Sequence, residues 1–375
     1  MSAKIFVMTH KKFSVPADLV YVPLHVGKAC AQDLGYPGDD TGKNISEKNQ
    51  YYSELTGLYW AAYNETDADV MGLCHYRRFF LDDEGRLLSG QKYEALLSEA
   101  DVILPKPVYH GTSYYEVYKE AHNIFDLDTT GEVIEEMYPE MYPVFCEIVA
   151  SDKVYSGNLF VTSRKLFREY ADWLFSVFDE VEKRIRVDSY DAYHKRVFGF
   201  LSEQLLYVWV KSRGLTICER PVGLTQEKAE TMELKQALCE SVAKGTLSGV
   251  QEALALFRSS VKDRPDLMLQ ASDFSGELAD MFRVIYVCEQ ELSAGWRGMF
   301  SVTSDLSLLV KHYRLLCQIA GKIVRGTESA QERSYFKDSR ISETLLSVIA
   351  GSDPAIKEAQ ESLRAFATPY GYDTI

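Results

Sequence analysis

The chain reads as an α/β domain with a largely parallel sheet, followed by an all-helical domain. Short apolar runs alternate with helical periods up to about residue 223. Several of those runs are apolar throughout, as expected of strands covered on both faces. Beyond about Gln226 long amphipathic periods replace the strand signals. The expected domains are therefore 1–223 and 224–375, the second near the usual domain size.

Each element has its own warrant. KIFVMTH (4–10) is a buried strand ending in Thr9 and His10, and DLVYVPLHVG (18–27) is a second. GYPGDDTGKN (35–44) is dense in turn formers and must be a loop. Ile45, Tyr52, Leu55, Tyr59 and Ala62 recur at helical spacing, so one helix is expected over 45–64, with Asn44 or Ser46 as its cap. DADVMGLCHYR (67–77) and EADVILPKPV (99–108) are strands, the latter ended by two prolines. Residues 129–151 read as a helix interrupted at proline, 154–163 as a strand holding Gly157 and Asn158, 164–185 and 198–214 as helices, and 215–223 as a last strand. QEALALFRSSV, GELADMFRVIYVCEQEL, LSLLVKHYRLLCQIAGKIV and IKEAQESLRAF supply the helical domain.

Charge and cysteine usage narrow the functional classes. The net charge is −14, from 41 basic and 55 acidic residues, which disfavours nucleic acid as the main partner. Seven cysteines without a C-x-x-C pair suggest reduced thiols and a cytoplasmic protein. The opening MSAKIFVMTHKKF is too short and polar for a signal peptide, and no apolar stretch approaches the roughly 18–20 residues of a spanning helix. A peripheral position at the inner face of the membrane stays open. No P-loop, dinucleotide fingerprint, H-E-x-x-H, G-x-S-x-G or zinc spacing occurs.

Clusters must then carry the chemistry. GLCHYRRFF (72–80) ends an apolar run with His75, Tyr76, Arg77 and Arg78. Ligands of open α/β sheets bind beyond the carboxyl ends of strands, and the planar fork of arginine suits phosphate oxygens. In an extended segment His75 and Arg77 would point one way and Tyr76 and Arg78 the other; a turn after Tyr76 would bring both arginines inward. Salt bridges are the bland alternative. At the entrance of the 45–64 helix, Asn44, Ser46 and Asn49 offer groups suited to a phosphate or hydroxyl, against a purely capping role. Gly157 and Asn158 interrupt a strand, as happens where a ligand approaches the backbone. Tyr118 and His122 share a helical spacing, and ordinary surface packing competes with a place in the cleft.

Three segments together, DDTGKNISEKNQYYSELTGLYWAAYN, GLCHYRRFF and VYSGNLFVTSRKLFREYADWLFSVFDEVEKR, resemble a bacterial glycosyltransferase family catalogued as domain of unknown function 4422. Its members occur in capsular and exopolysaccharide assembly. The resemblance covers about residues 1–223, with Asn158-Leu159-Phe160 where the family usually has methionine in the middle. It implies a GT-A-like fold and a nucleotide-diphosphate sugar donor, UDP-linked. The transferred group is then a hexose, galactose among the candidates, and the acceptor a glycan or a lipid-linked glycan. In such folds Thr9 and His10 close the strand that holds the nucleotide. His75, Tyr76, Arg77 and Arg78 fall near the place of the usual Asp-x-Asp metal motif.

No Asp-x-Asp stands there. Asp67-Ala68-Asp69 precedes the strand, and Asp82-Asp83 in LDDEGR reads as a solvated turn. Arg77 and Arg78 are therefore expected to stabilise the leaving diphosphate with no metal cofactor, Mg²⁺ or Mn²⁺ remaining the alternative. An inverting transfer needs a carboxylate base, for which Glu203 in FLSEQLLYVW is the candidate and Asp188 and Asp191 the rivals on the substrate side. A structural pairing of Glu203 with Arg196 or Arg78 is nearly as well supported. A phosphoryl- or nucleotidyl-transfer enzyme and a non-catalytic glycan-binding module are the competing readings. For the C-terminal helices the expectation is partner docking, self-association or positioning of an acceptor near the membrane.

Overall fold

The computed structural model describes residues 2–269 and 272–366. It forms two compact units, divided between Thr225 and Gln226.

The first unit is built on one sheet. β1 (Ala3–Thr9) is flanked by β2 (Tyr21–His25), and after a loop, α1 (Asn49–Tyr52) and α2 (Leu55–Asn64) lead to β3 (Val70–His75) and β4 (Arg78–Phe80). Then come α3 (Gly90–Leu96), β5 (Val102–Pro105), β6 (Val108–Tyr109), α4 (Tyr114–Ala121), α5 (Ile124–Met137), α6 (Tyr142–Ala150), β7 (Lys153–Val154) and β8 (Phe160–Ser163). The unit closes with α7 (Arg164–Arg184), α8 (Val197–Ser212), β9 (Ile217–Arg220) and β10 (Val222–Leu224).

The main strand order is β2-β1-β3-β8-β5-β9, with β4 and β10 extending the sheet past the end of β3. Within that order β1, β2, β3, β5 and β9 run one way and β8 runs against them. The carboxyl ends of five strands therefore gather on one edge. β1 is apolar from Ile5 to Met8 because both its faces are covered there: Phe6 and Met8 join the core that includes α2, α7 and α8, and Ile5 and Val7 join the opposite core with Tyr93 of α3. Gly72 lies where a Cβ would stand 2.8 Å from the Phe160 carbonyl oxygen, so β3 and β8 approach closely there.

Three elements differ from the sequence expectation. The single helix over 45–64 is broken: Ser53 has φ 50 and ψ −130, which ends α1 and starts α2 afresh. Its apolar spacing continues through the break, so periodicity did not show it. The 154–163 strand is two short pieces, with Gly157 (φ 93) and Asn158 (φ 50) in the loop between. Asp82 is not solvated. It is buried, takes the backbone N–H groups of Glu84 and Arg86, and pairs with Arg86 and Lys92.

The second unit is helical: α9 (Ala229–Val242), α10 (Leu247–Asp263), α11 (Glu277–Ser293), α12 (Leu306–Arg325), α13 (Ala330–Asp338), α14 (Glu343–Ala350), α15 (Pro354–Glu358) and α16 (Gln360–Phe366). α12 buries Leu306, Leu309, Val310, Tyr313, Leu316, Ala320 and Ile323, a stripe at helical spacing. Asp305 caps its start and Gly326, at φ 65, ends it. Lys235 of α9 is buried in this unit, with Asp273 at 2.7 Å and Glu227 at 2.6 Å. No helix among the described residues is long and apolar enough to cross a membrane.

Candidate active site

GLCHYRRFF folds as a tight hairpin. His75 is the cross-strand partner of Arg78, and Tyr76-Arg77 form the turn. Paired hairpin residues share a face, so His75 and Arg78 point together. The extended alternation expected from the sequence is replaced by this turn, which also separates the two arginines. Arg77 is 6% exposed, and its carbonyl accepts the Thr225 N–H at 3.0 Å. Tyr76 is buried against the opposite core, its ring edge-on to His10 at 5.5 Å.

Around His75 and Arg78 the carboxyl edge assembles a cluster from four segments. Glu54 follows the break at Ser53, and its Oε1 accepts from Asn158 Nδ2 at 2.6 Å and lies 4.0 Å from His75 Nε2. Asn158 is also bound by the Ser202 hydroxyl at 2.9 Å and donates to the Gly199 carbonyl at 3.0 Å. These bonds tie the β7–β8 loop to α8. Gly157 sits against Arg78: a Cβ there would meet Nη1 at 2.6 Å, and the backbone is in the left-handed region that glycine favours. Glu203, half-buried, faces Arg78, Arg196, Glu54 and the Gly157 N–H.

The electrostatics follow from that packing. Burial raises the Glu203 carboxyl from 4.5 to about 7, with Glu54 adding to the rise and Arg78, the Gly157 N–H and Arg196 opposing it. Burial pushes His75 down to about 4 against the pull of Glu54, so its ring is neutral at pH 7. Neither Arg78 nor Arg196 has a carboxylate oxygen within 4.0 Å among the described residues. Among the described residues, neither Arg78 nor Glu203 forms the salt bridge that would have been its bland account.

The other sequence candidates make the following contacts. Ser46, fully buried, donates to Asp39 at 2.5 Å and accepts the Ala29 N–H at 3.1 Å. Asn44 folds back on Gly42 and Ser46, and Asn49 bonds the Ser53 carbonyl at 2.6 Å. The Thr9 hydroxyl is occupied with the backbone of Lys11, while His10 is exposed at the end of β1. Asp188 accepts from Tyr51 at 2.6 Å. Asp191 caps a turn through the N–H groups of Tyr193 and His194. Tyr118 and His122 border the cluster from α4 and its end. The Tyr118 hydroxyl is buried with no hydrogen-bond partner among the described residues, and His122 stacks on Phe200 at 4.2 Å.

Sequence reasoning missed Glu54 and gave Arg196 no role beyond pairing with Glu203. Among the described residues no group of three or more His, Cys, Asp or Glu side chains is placed to hold a metal ion. A cavity of about 520 Å³ opens at the amino end of β3, lined by Asp69, Arg164 and Arg168 among others. Arg168 is already paired with Asp172 and Arg164 with the Thr66 carbonyl, so this cavity has less unsatisfied charge to offer than the carboxyl edge.

The fold is an α/β domain with a mostly parallel sheet whose carboxyl edge holds Arg78 and Arg196, without an ion pair among the described residues, beside the shifted carboxyl of Glu203. The model of the domain of unknown function DUF4422 matches residues 4–214, and the chain belongs to that family. The solved apo structure of WbbM, described as a bifunctional glycosyltransferase, is similar at 30% identity with a TM-score of 0.57. The likeness covers 61% of this chain and 46% of WbbM, so the chain matches less than half of that protein's length. No curated protein matches.

Proposed function

We propose that the first unit is a glycosyltransferase that moves a hexose from a UDP-sugar to a glycan or lipid-linked acceptor in surface polysaccharide assembly. The observation that carries this reading is Arg78: a half-buried guanidinium with no ion pair among the described residues, at a strand-end edge, facing a carboxyl raised to about 7. A cation withdrawn from water without a counter-charge is costly unless a ligand supplies one. Family membership and the likeness to WbbM support sugar transfer as the chemistry.

In this reading Glu203 takes the proton of the acceptor hydroxyl as that oxygen attacks the anomeric carbon. The bond from that carbon to the diphosphate oxygen breaks, and Arg78 stabilises the charge that develops on the leaving group. Neutral His75 adds a hydrogen-bonding ring without further positive charge. Glu54, through Asn158, holds the β7–β8 loop in place. The transfer needs no divalent metal.

Incubation with UDP-galactose and UDP-glucose, with and without EDTA, tests this. Slow UDP release that survives EDTA, and falls at least about 100-fold in Arg78→Gln, is the expected result. Release of inorganic phosphate, or unchanged turnover in Arg78→Gln, would overturn the reading. Loss of turnover in EDTA would reject the metal-free part.

A further inference from the structure

The second guanidinium at this edge has no assigned task in the reading above. We propose that Arg196 is the other cation of the diphosphate site, so that the leaving group lies between Arg78 and Arg196. This rests on the proposed transfer reaction, and it replaces the Arg77–Arg78 pair suggested by the sequence.

Arg196 stands where the turn His194–Arg196 runs into α8. Its Nε donates to Ser53 Oγ at 3.2 Å, and its guanidinium lies over the Phe200 ring, 5.4 Å from the centroid. One edge and one face of the fork are thereby held, while neither Nη group has a hydrogen bond or ion pair among the described residues. Two parallel donors on a planar group are what phosphate oxygens accept. Arg77, in contrast, is buried in the hairpin turn and has partners of its own.

The mooring leads toward the strand ends. The carbonyl of Ser53 is held by Asn49 Nδ2, and the Asn49 side chain packs on Gly27 just beyond β2, where a Cβ would meet its Cγ at 2.6 Å. Gly27, Asn49, Ser53 and Arg196 thus form a continuous path from the carboxyl ends of β1 and β2 to α8. Arg196 caps the start of α8, and Phe200, under its guanidinium, and Glu203 follow at i+4 and i+7, near one helical face. The cation and the proposed base are therefore presented to the same side, as a leaving group and an attacking hydroxyl require.

Calorimetric titration of the full chain with inorganic pyrophosphate, and separately with UDP, tests the assignment. Arg196→Gln should weaken pyrophosphate binding about 10–100-fold, as much as Arg78→Gln does. Arg196→Lys should restore only part of it, because the charge returns without the fork. The Lys variant also keeps the test alive should the Gln variant fail to fold. Pyrophosphate binding lost in Arg78→Gln and unchanged in both Arg196 variants would overturn this inference alone. Binding unchanged in both Gln variants would overturn the diphosphate reading itself.

Discussion

Lys235 in the second unit and Arg78 in the first are both cations drawn out of bulk water, and their surroundings differ in kind. Lys235 has Asp273 and Glu227 within hydrogen-bond distance and Glu277 at 3.4 Å. Burial alone would lower its pKa, but the bonds it donates to Asp273 and Glu227 outweigh that and raise it, so the ammonium is locked in its charged form. Among the described residues Arg78 and Arg196 have no carboxylate so close, and the carboxylate they face, Glu203, is the one whose proton is held up toward neutrality. A satisfied charge contributes to the fold; an unsatisfied charge is a place for something else to bind. The two clusters should therefore answer mutation in opposite ways.

The largest effect is expected at Glu203. Glu203→Gln should lower the transfer rate by about 10²–10⁴ while the fold holds. The wild-type rate should climb as pH rises and level off above about 7, because the carboxyl must lose its proton to act. Stability should move the other way. The folded pKa lies above the ordinary 4.5, so folding favours the protonated carboxyl. That contribution is whole below about pH 4.5 and is lost as pH rises through about 7. Glu203→Gln should accordingly melt higher than the wild type at pH 8 and alike at pH 4. A rate that falls between pH 6 and 8, or a variant that melts lower at pH 8, would make Glu203 a structural group like those around Lys235.

Much of the frame of this comparison is visible in the sequence, and its decisive contacts are not. β1, α7 and α12 follow from apolar runs and helical stripes because burial on one or two faces dictates those patterns. Gly157-Asn158 is also readable, since these two residue types tolerate positive φ. Glu54 left no trace. It sits in what looks like continuous helix, and the break before it depends on Ser53 taking a conformation that serine does not advertise. The roles of Arg77 and Arg78 could not be told apart either. A two-residue turn and a four-residue extended run have the same composition, and only the pairing of His75 with Arg78 decides which arginine joins the cluster. Asp82 was misread for a related reason: LDDEGR has the residues of a solvated turn, and although Arg86 belongs to that same stretch, the second partner, Lys92, is brought to Asp82 by α3.

The next effect in size belongs to the second unit. Lys235→Ala removes the shared counter-charge of three carboxylates and should cost about 3–5 kcal/mol of stability, because breaking a buried pair leaves its partner uncompensated. Arg78→Gln, measured by the same urea titration, should cost less than about 1 kcal/mol. A loss at Arg78 equal to that at Lys235 would show that Arg78 is held by the protein itself, and the contrast between the two clusters would fail.

The smallest effect probes how the first cluster is held without ion pairs. Ser53 and Asn158 are both non-glycine residues at positive φ, and the Asn158–Glu54 bond joins their two loops. Such backbone costs about 1–3 kcal/mol where it occurs and persists when the surroundings impose it. Ser53→Gly relieves the backbone but gives up the hydroxyl that holds Arg196, so stability should rise by no more than about 1 kcal/mol. Ser53→Ala gives up the same hydroxyl and keeps the strain, so it should be less stable than the wild type by about 1 kcal/mol. The gap between the two variants isolates the strain from the hydrogen bond. If alanine is as stable as glycine at this position, the turn before Glu54 stores no strain, and the placing of Glu54 must come from its bond to Asn158 alone.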